Sequence, residues 1–211
     1  LLIKNRNKNC LYKYFGDLYH FGVNMIGVRI TNFLRTRLDD FLIGYFLGAE
    51  ALGIYILAYR LGRLILDVFS NVIGNVVISK FSRLQNDIEQ LKVAFYRTTR
   101  LTSLIIFPVF AGSIMFASDL IFLLSGSQWM PAVPIMRILS LAGFSLVLQY
   151  INSYTIISFG KPAFLLLINT ASTILTTVAF VVSARFGILY VAISYTAVNM
   201  VFFGVYLYAT H

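Results

Sequence analysis

The chain has 211 residues, 59% of them hydrophobic and only 12% charged, with a mean hydropathy of +0.81. A soluble globular domain is excluded by that balance, and the sequence reads as an all-α integral membrane protein. The formal charge of +9 is read as membrane topology and membrane-surface charge, with no nucleic-acid partner.

Residues 1–17 read as a cytoplasmic linker, with Lys4, Arg6, Lys8 and Lys13 ahead of a first span entering at Leu18. The chain starts at Leu1 without a signal-peptide pattern, so it is expected to be a fragment of a longer protein, with 18–211 forming six membrane spans. A lone Cys10 has no partner for a disulfide or a metal site. From Leu18 to Phe46 the polar residues Arg29, Asn32, Thr36 and Asp39 follow one another at helical spacing and share one face. From Leu52 to Ser79 the series Arg60, Arg63, Asp67, Ser70, Asn71 and Gly74 does the same. A charge at the bilayer centre costs about 2.5–3.5 kcal/mol on insertion scales, so both stripes are expected to face a protein interior or a wet cavity. Gly44, Gly48 and Gly53 mark a tight turn between the two spans, which makes them neighbours.

Further along, Asn86 or Asp87 is placed to cap a short amphipathic helix with Ile88, Leu91 and Phe95 on one face, expected on the inner membrane surface. Four runs free of Asp, Glu, Lys and Arg follow: Leu101 to Ser118, Ile138 to Gly160, Pro162 to Ala184 and Phe186 to Thr210. By difference of their end numbers they hold 18, 23, 23 and 25 residues, enough to cross about 30 Å of hydrocarbon. Pro108 favours a kink in the third span, and Trp129 reads as an interfacial anchor in the loop after it. Gln149, Asn152, Ser153, Asn169, Thr173, Thr176, Thr177, Ser194 and Asn199 are the milder polar residues of the later spans, expected chiefly to join helix to helix. Ten basic residues, from Lys4 to Lys13, Lys80 to Arg100 and at Lys161, fall on one side of these six spans, and the alternate connections hold only Arg185. The positive-inside rule puts that side, and both termini, in the cytoplasm.

Asp39, Ile43-Gly44, Gly48, Leu52-Gly53, Tyr55 and Ala58-Tyr59-Arg60, then FSRLQND from Phe81, FPVFAG from Phe107, SQWMPAVPIMRIL from Ser127 and FGKP from Phe159, occur in one order. That series resembles the Wzx-type flippases of the multidrug/oligosaccharidyl-lipid/polysaccharide exporter superfamily. The resemblance implies one lobe of a two-lobed, V-shaped protein that moves a lipid-linked oligosaccharide across the bacterial inner membrane by alternating access, with the N-terminal lobe missing before Leu1. Two prolines of the family pattern, after Arg63 and before Ser82, are absent. Their loss puts the bend of the second span in doubt.

Arg29, Asn32, Thr36, Asp39, Arg63, Asp67 and Asn71 are the candidate cavity-lining and substrate-binding residues. Arg35 with Asp39, Arg37 with Asp40 and Arg63 with Asp67 are spaced to pair on their own helices. Arg29 and Arg60 are then left over; Arg60 can snorkel to the outer end, whereas Arg29 stands near mid-membrane, where a guanidinium suits either a phosphate or an acidic residue of the missing lobe. Arg63 with Asp67 is expected to keep the cavity wall ordered. No cofactor is implied, and no enzyme: adjacent Asp39 and Asp40 point about 100° apart on a helix and make no acid/base pair. A cation-coupled multidrug exporter of the same superfamily is the rival transporter, and a structural remnant of half a transporter the rival outside transport. The first two spans favour an anionic substrate over a cationic one, with Arg29, Arg35, Arg37, Arg60 and Arg63 against Asp39, Asp40 and Asp67.

Overall fold

A membrane-crossing helix needs about 20 residues, yet the first helix, α1, runs over Leu2–Leu84, 83 residues. At about 1.5 Å per residue a straight rod of that length exceeds 120 Å. It does not run straight. Gly48 leaves the helical region at φ 85, ψ 175, a conformation open in practice only to glycine, and the chain doubles back there. Gly44 on the incoming arm lies under Leu52 on the outgoing one, so a Cβ on it would stand 3.2 Å from the leucine Cδ2.

This structure is a computed structural model that describes the backbone of residues 2–84 and 86–210 and the side chains of 18–70, 74, 76–84 and 86–208. The side chains of the 1–17 segment, including Lys4, Arg6, Lys8, Cys10 and Lys13, lie outside the described residues, as do Asn71 and His211. The remaining helices are α2 (Ile88–Met115), α3 (Ala117–Ser125), α4 (Ala132–Ser158), α5 (Pro162–Ser183) and α6 (Ile188–Thr210), with single 3-10 turns at Ser127–Trp129 and Ala184–Phe186. Five stretches are long and apolar enough to cross a membrane, the first being the 53-residue Leu18–Ser70. Gly48 divides that first stretch into two arms, which makes six crossings of the bundle.

The central helix is α4. Of its membrane window 61% is buried, against 17 to 39% for the others. Packing at the Gly48 end uses small side chains that let helices approach: Ala58, Ala117, Ala132, Ala142 and Ala192 are all fully buried. Ile43, Tyr55, Phe180, Val191 and Tyr195 fill the space between them. At the opposite end a second cluster joins Val28, Ile156, Leu165, Phe202 and Tyr206. The Trp129 ring covers Gly53 at 3.6 Å from its virtual Cβ, so this side chain seals the turn end of the bundle.

Two local expectations are corrected. The short helix after Asp87 does not lie apart on the membrane surface: it is the beginning of α2, which continues without interruption through Pro108 to Met115. Its apolar face has a partner inside the protein, because Leu91 and Ala94 pack on Val77 and Phe81 at the end of α1. Of the two possible caps, Asp87 serves, its Oδ1 accepting from the Gln90 amide at 3.0 Å. The connection after the third span, read as a loop, contains α3.

The reversal at Gly48 gives a direct test. Gly48→Ala forces a Cβ into a backbone region that costs about 1–3 kcal/mol. Thermal unfolding of the detergent-solubilised protein is expected to show a lowered midpoint, whereas Gly112→Ala, at a site with open space around it, leaves the midpoint in place.

Candidate functional site

The fold back at Gly48 brings the two polar stripes of α1 face to face, and they enclose a cavity of about 350 Å³ with α4, α5 and α6. Asn32, Arg35 and Thr36 line it from the incoming arm and Tyr59, Arg63, Asp67 and Ser70 from the outgoing arm. Opposite them stand Gln149, Tyr150, Ser153 and Tyr154 of α4, Asn169 of α5, and Tyr195 and Tyr206 of α6.

Arg35 is the centre of its wall. Its Nη2 donates to Asn199 Oδ1 at 2.9 Å, and its guanidinium carbon lies 5.6 Å from the Tyr195 ring centroid, a cation–π arrangement. Asn199 is fully buried and held on both sides. Its Nδ2 donates to the Tyr195 carbonyl at 2.7 Å, and its own carbonyl accepts from Gln149 Nε2 at 2.9 Å. One charged side chain is thereby fastened to α6 and, through Asn199, to α4. Arg63 is held differently, its Nη1 donating to Tyr59 Oη at 2.8 Å and its Nε standing 3.6 Å from Asp67 Oδ2.

Of the candidates read from sequence, Asn32, Thr36, Arg63 and Asp67 line the cavity together. Arg29 and Asp39 do not. Arg29 is exposed on this lobe, beside the buried Val28, because one residue step turns a helical side chain by about 100°. Asp39 is only 5% exposed and lies one turn closer to Gly48 than Arg35, beyond the level at which the cavity ends. Two of the three expected ion pairs form, Arg37 with Asp40 at 3.9 Å and Arg63 with Asp67. The third does not: among the described residues no ion pair joins Arg35 to Asp39, since the guanidinium turns to Asn199 instead. Arg35 is therefore the site residue that spacing alone concealed, and its partner Asn199, 164 positions away, was not legible as one.

The milder polar residues divide. Thr173, Thr177, Asn152 and Ser153 donate to carbonyls four residues back on their own helices. Gln149 joins α4 to α6, and Tyr206 Oη donates to Asn169 Oδ1 at 2.6 Å to join α6 to α5.

With this geometry in hand, comparison with known proteins is specific. Residues 5–134 match the family described as polysaccharide biosynthesis protein. The chain belongs to that family. Teichuronic acid biosynthesis protein TuaB of Bacillus subtilis is 30% identical over 145 residues, 69% of this chain and 30% of its own length. Succinoglycan biosynthesis transport protein ExoT of Rhizobium meliloti is 27% identical over 125 residues, 59% of this chain and 25% of its own. The matched part of the chain thus covers less than a third of the length of these polysaccharide biosynthesis relatives. A crystal structure of a MATE protein in complex with MaL6 superposes with a TM-score of 0.83 at 15% identity, over 93% of this chain and 46% of that one. That likeness gives the fold, which corresponds to about half of the MATE chain.

Two substitutions separate the held arginine from the paired one. Asn199→Leu removes the acceptor of Arg35 inside the bundle and is expected to destabilise by about 1–3 kcal/mol. The Arg63–Asp67 pair is 40% and 50% exposed, so Asp67→Asn costs at most about 1 kcal/mol. Thermal unfolding of the two purified variants in detergent measures the difference. The reverse order would mean that Asp67, and not Asn199, orders the cavity wall.

Proposed function

We propose that this chain is one lobe of a transporter that moves a lipid-linked oligosaccharide across the bacterial inner membrane by alternating access, in the synthesis of a surface polysaccharide. The observation that carries this reading is the sign of the cavity. Arg35 and Arg63 line it against Asp67 alone, and Asp67 is already engaged by Arg63. A surplus guanidinium in a wet cavity suits the phosphate that joins a saccharide to its lipid carrier. A drug exporter for cations needs the opposite balance, an acidic wall able to compensate a positive substrate. Transport, not catalysis, is the role proposed for the polar groups of the cavity.

Orientation follows from charge. Lys80, Arg83, Lys92, Arg97, Arg100 and Lys161 all sit at the end of the bundle opposite Gly48, so that end is proposed to be cytoplasmic and the Gly48 turn external. Both termini then lie inside. A second lobe completes the cavity wall, and Arg29, exposed on this lobe, is available to it or to the head group of the substrate.

Replacing Arg35 tests the reading. In cells that depend on the full transporter, Arg35→Ala is expected to abolish surface polysaccharide while the protein remains in the membrane, and Arg35→Lys to retain part of the export, because the charge survives without the planar fork. Undiminished export by Arg35→Ala would show that the anion is bound elsewhere.

A further inference from the structure

The polar groups of the cavity are sorted by depth. Arg35, Arg63 and Tyr59 lie at the level of Gln149 and Asn199, where the guanidinium of Arg35 is fastened. Seven residues along α6 from Asn199, about 10 Å at the rise of an α-helix, stands Tyr206. Its Oη donates to Asn169 Oδ1 at 2.6 Å, and Ser153 of α4, whose Oγ donates to the Gln149 carbonyl, lines the same part of the cavity. Three helices thus contribute one neutral polar group each to the cavity wall at a single level. Tyr154 of α4 lies beside them, donating to the Ser70 carbonyl at 3.3 Å. Every charge among the lining residues belongs to Arg35, Arg63 or Asp67; Asp67, three residues before Ser70 and paired with Arg63, is the one nearest this level, and Ser153, Asn169 and Tyr206 themselves carry none.

An amide, a phenol and a hydroxyl each offer both donor and acceptor capacity, apart from the fixed charge of a carboxylate or guanidinium. Ligand sites use a few such groups to fix the orientation of a neutral hydroxylated ligand. The Asn169 Oδ1 is occupied by Tyr206, whereas its Nδ2 donates to none of the described residues. That leaves an amide donor on a residue that lines the cavity, next to a tyrosine ring.

We propose that Ser153, Asn169 and Tyr206 form a saccharide subsite, binding the hydroxyls of the neutral glycosyl unit next to an anionic group held at Arg35 and Arg63, and so determine which sugar the cavity accepts. This rests on the transport reading above and adds to it a division of labour: a cationic level for the phosphate, and a neutral level closer to the α4–α5 turn for the sugar. Both levels line one cavity, the cationic one from the two arms of α1 and the neutral one from α4, α5 and α6 opposite them.

The test compares two probes on the full transporter in nanodiscs: polyprenyl pyrophosphate, and polyprenyl pyrophosphate carrying one neutral hexose, glucose or galactose. The readout is the ratio of their affinities. The unaltered protein is expected to prefer a glycosylated probe by about tenfold, equivalent to about 1.4 kcal/mol. Tyr206→Phe and Asn169→Ala should each bring the ratio towards one, whereas Arg35→Ala should weaken both probes and leave the ratio. Tyr206→Phe keeps the ring and its packing, so it carries the test even where Asn169→Ala fails to fold. A preference that survives in Tyr206→Phe, or none in the unaltered protein, overturns the subsite and identifies these bonds as fastenings between helices. Binding of neither probe by the folded, unaltered protein would instead overturn the transport reading itself.

Discussion

The hydrogen bond from Arg35 to the buried amide of Asn199, 2.9 Å long, is the constraint on which the rest of this lobe depends. A guanidinium within an apolar bundle must find acceptors or reach water, and Arg35 does both. Its fork is fastened on one side to α6, and its other face lines the cavity. Because Asn199 is itself held by the Tyr195 carbonyl and by Gln149, the charge is anchored in a network whose members satisfy one another. Such a network holds a cation at one depth in the membrane, which a flexible side chain at the rim would not.

That anchoring works only because the chain reverses at Gly48. The reversal sets two helical arms antiparallel, so a stripe containing Arg35 and a stripe containing Arg63 face the same space. Small residues let α4 come close at the Gly48 end, where the core is dense. Towards the other end tyrosines and amides replace alanines, and the same helices stand around a cavity instead. The cavity and the dense core are therefore separated along the bundle within one set of helices.

Much of this architecture is legible in the sequence for a physical reason. Hydrocarbon imposes its thickness on the chain, so charge-free runs of about 20 residues mark spans, and the spacing of Asn32, Thr36, Arg63 and Asp67 marks the face that avoids lipid. Partner choice across the bundle is another matter. Arg35 and Asp39 are spaced for an ion pair, and local periodicity cannot reveal that Asn199, on the last helix, offers a better-placed acceptor. Arg29 and Arg35 are equally charged and both within the first span, and only the packing of Val28 shows which of the two faces the cavity of this lobe. The amphipathic start of α2 misleads in the same way, since a face apolar enough for a membrane surface serves equally well against Val77 and Phe81.

The central claim is that the cavity bounded by the two arms of α1 and by α4 to α6 holds the lipid-linked substrate. Its most direct test is site-specific photocrosslinking in cells assembling surface polysaccharide, with the photoreactive residue at Leu146 in the cavity wall or at Leu167 on the exposed face of α5. Mass spectrometry is expected to find a polyprenyl-linked saccharide adduct on the chain labelled at Leu146 and none at Leu167. Equal adducts at both positions, or adducts at Leu167 alone, would contradict the account.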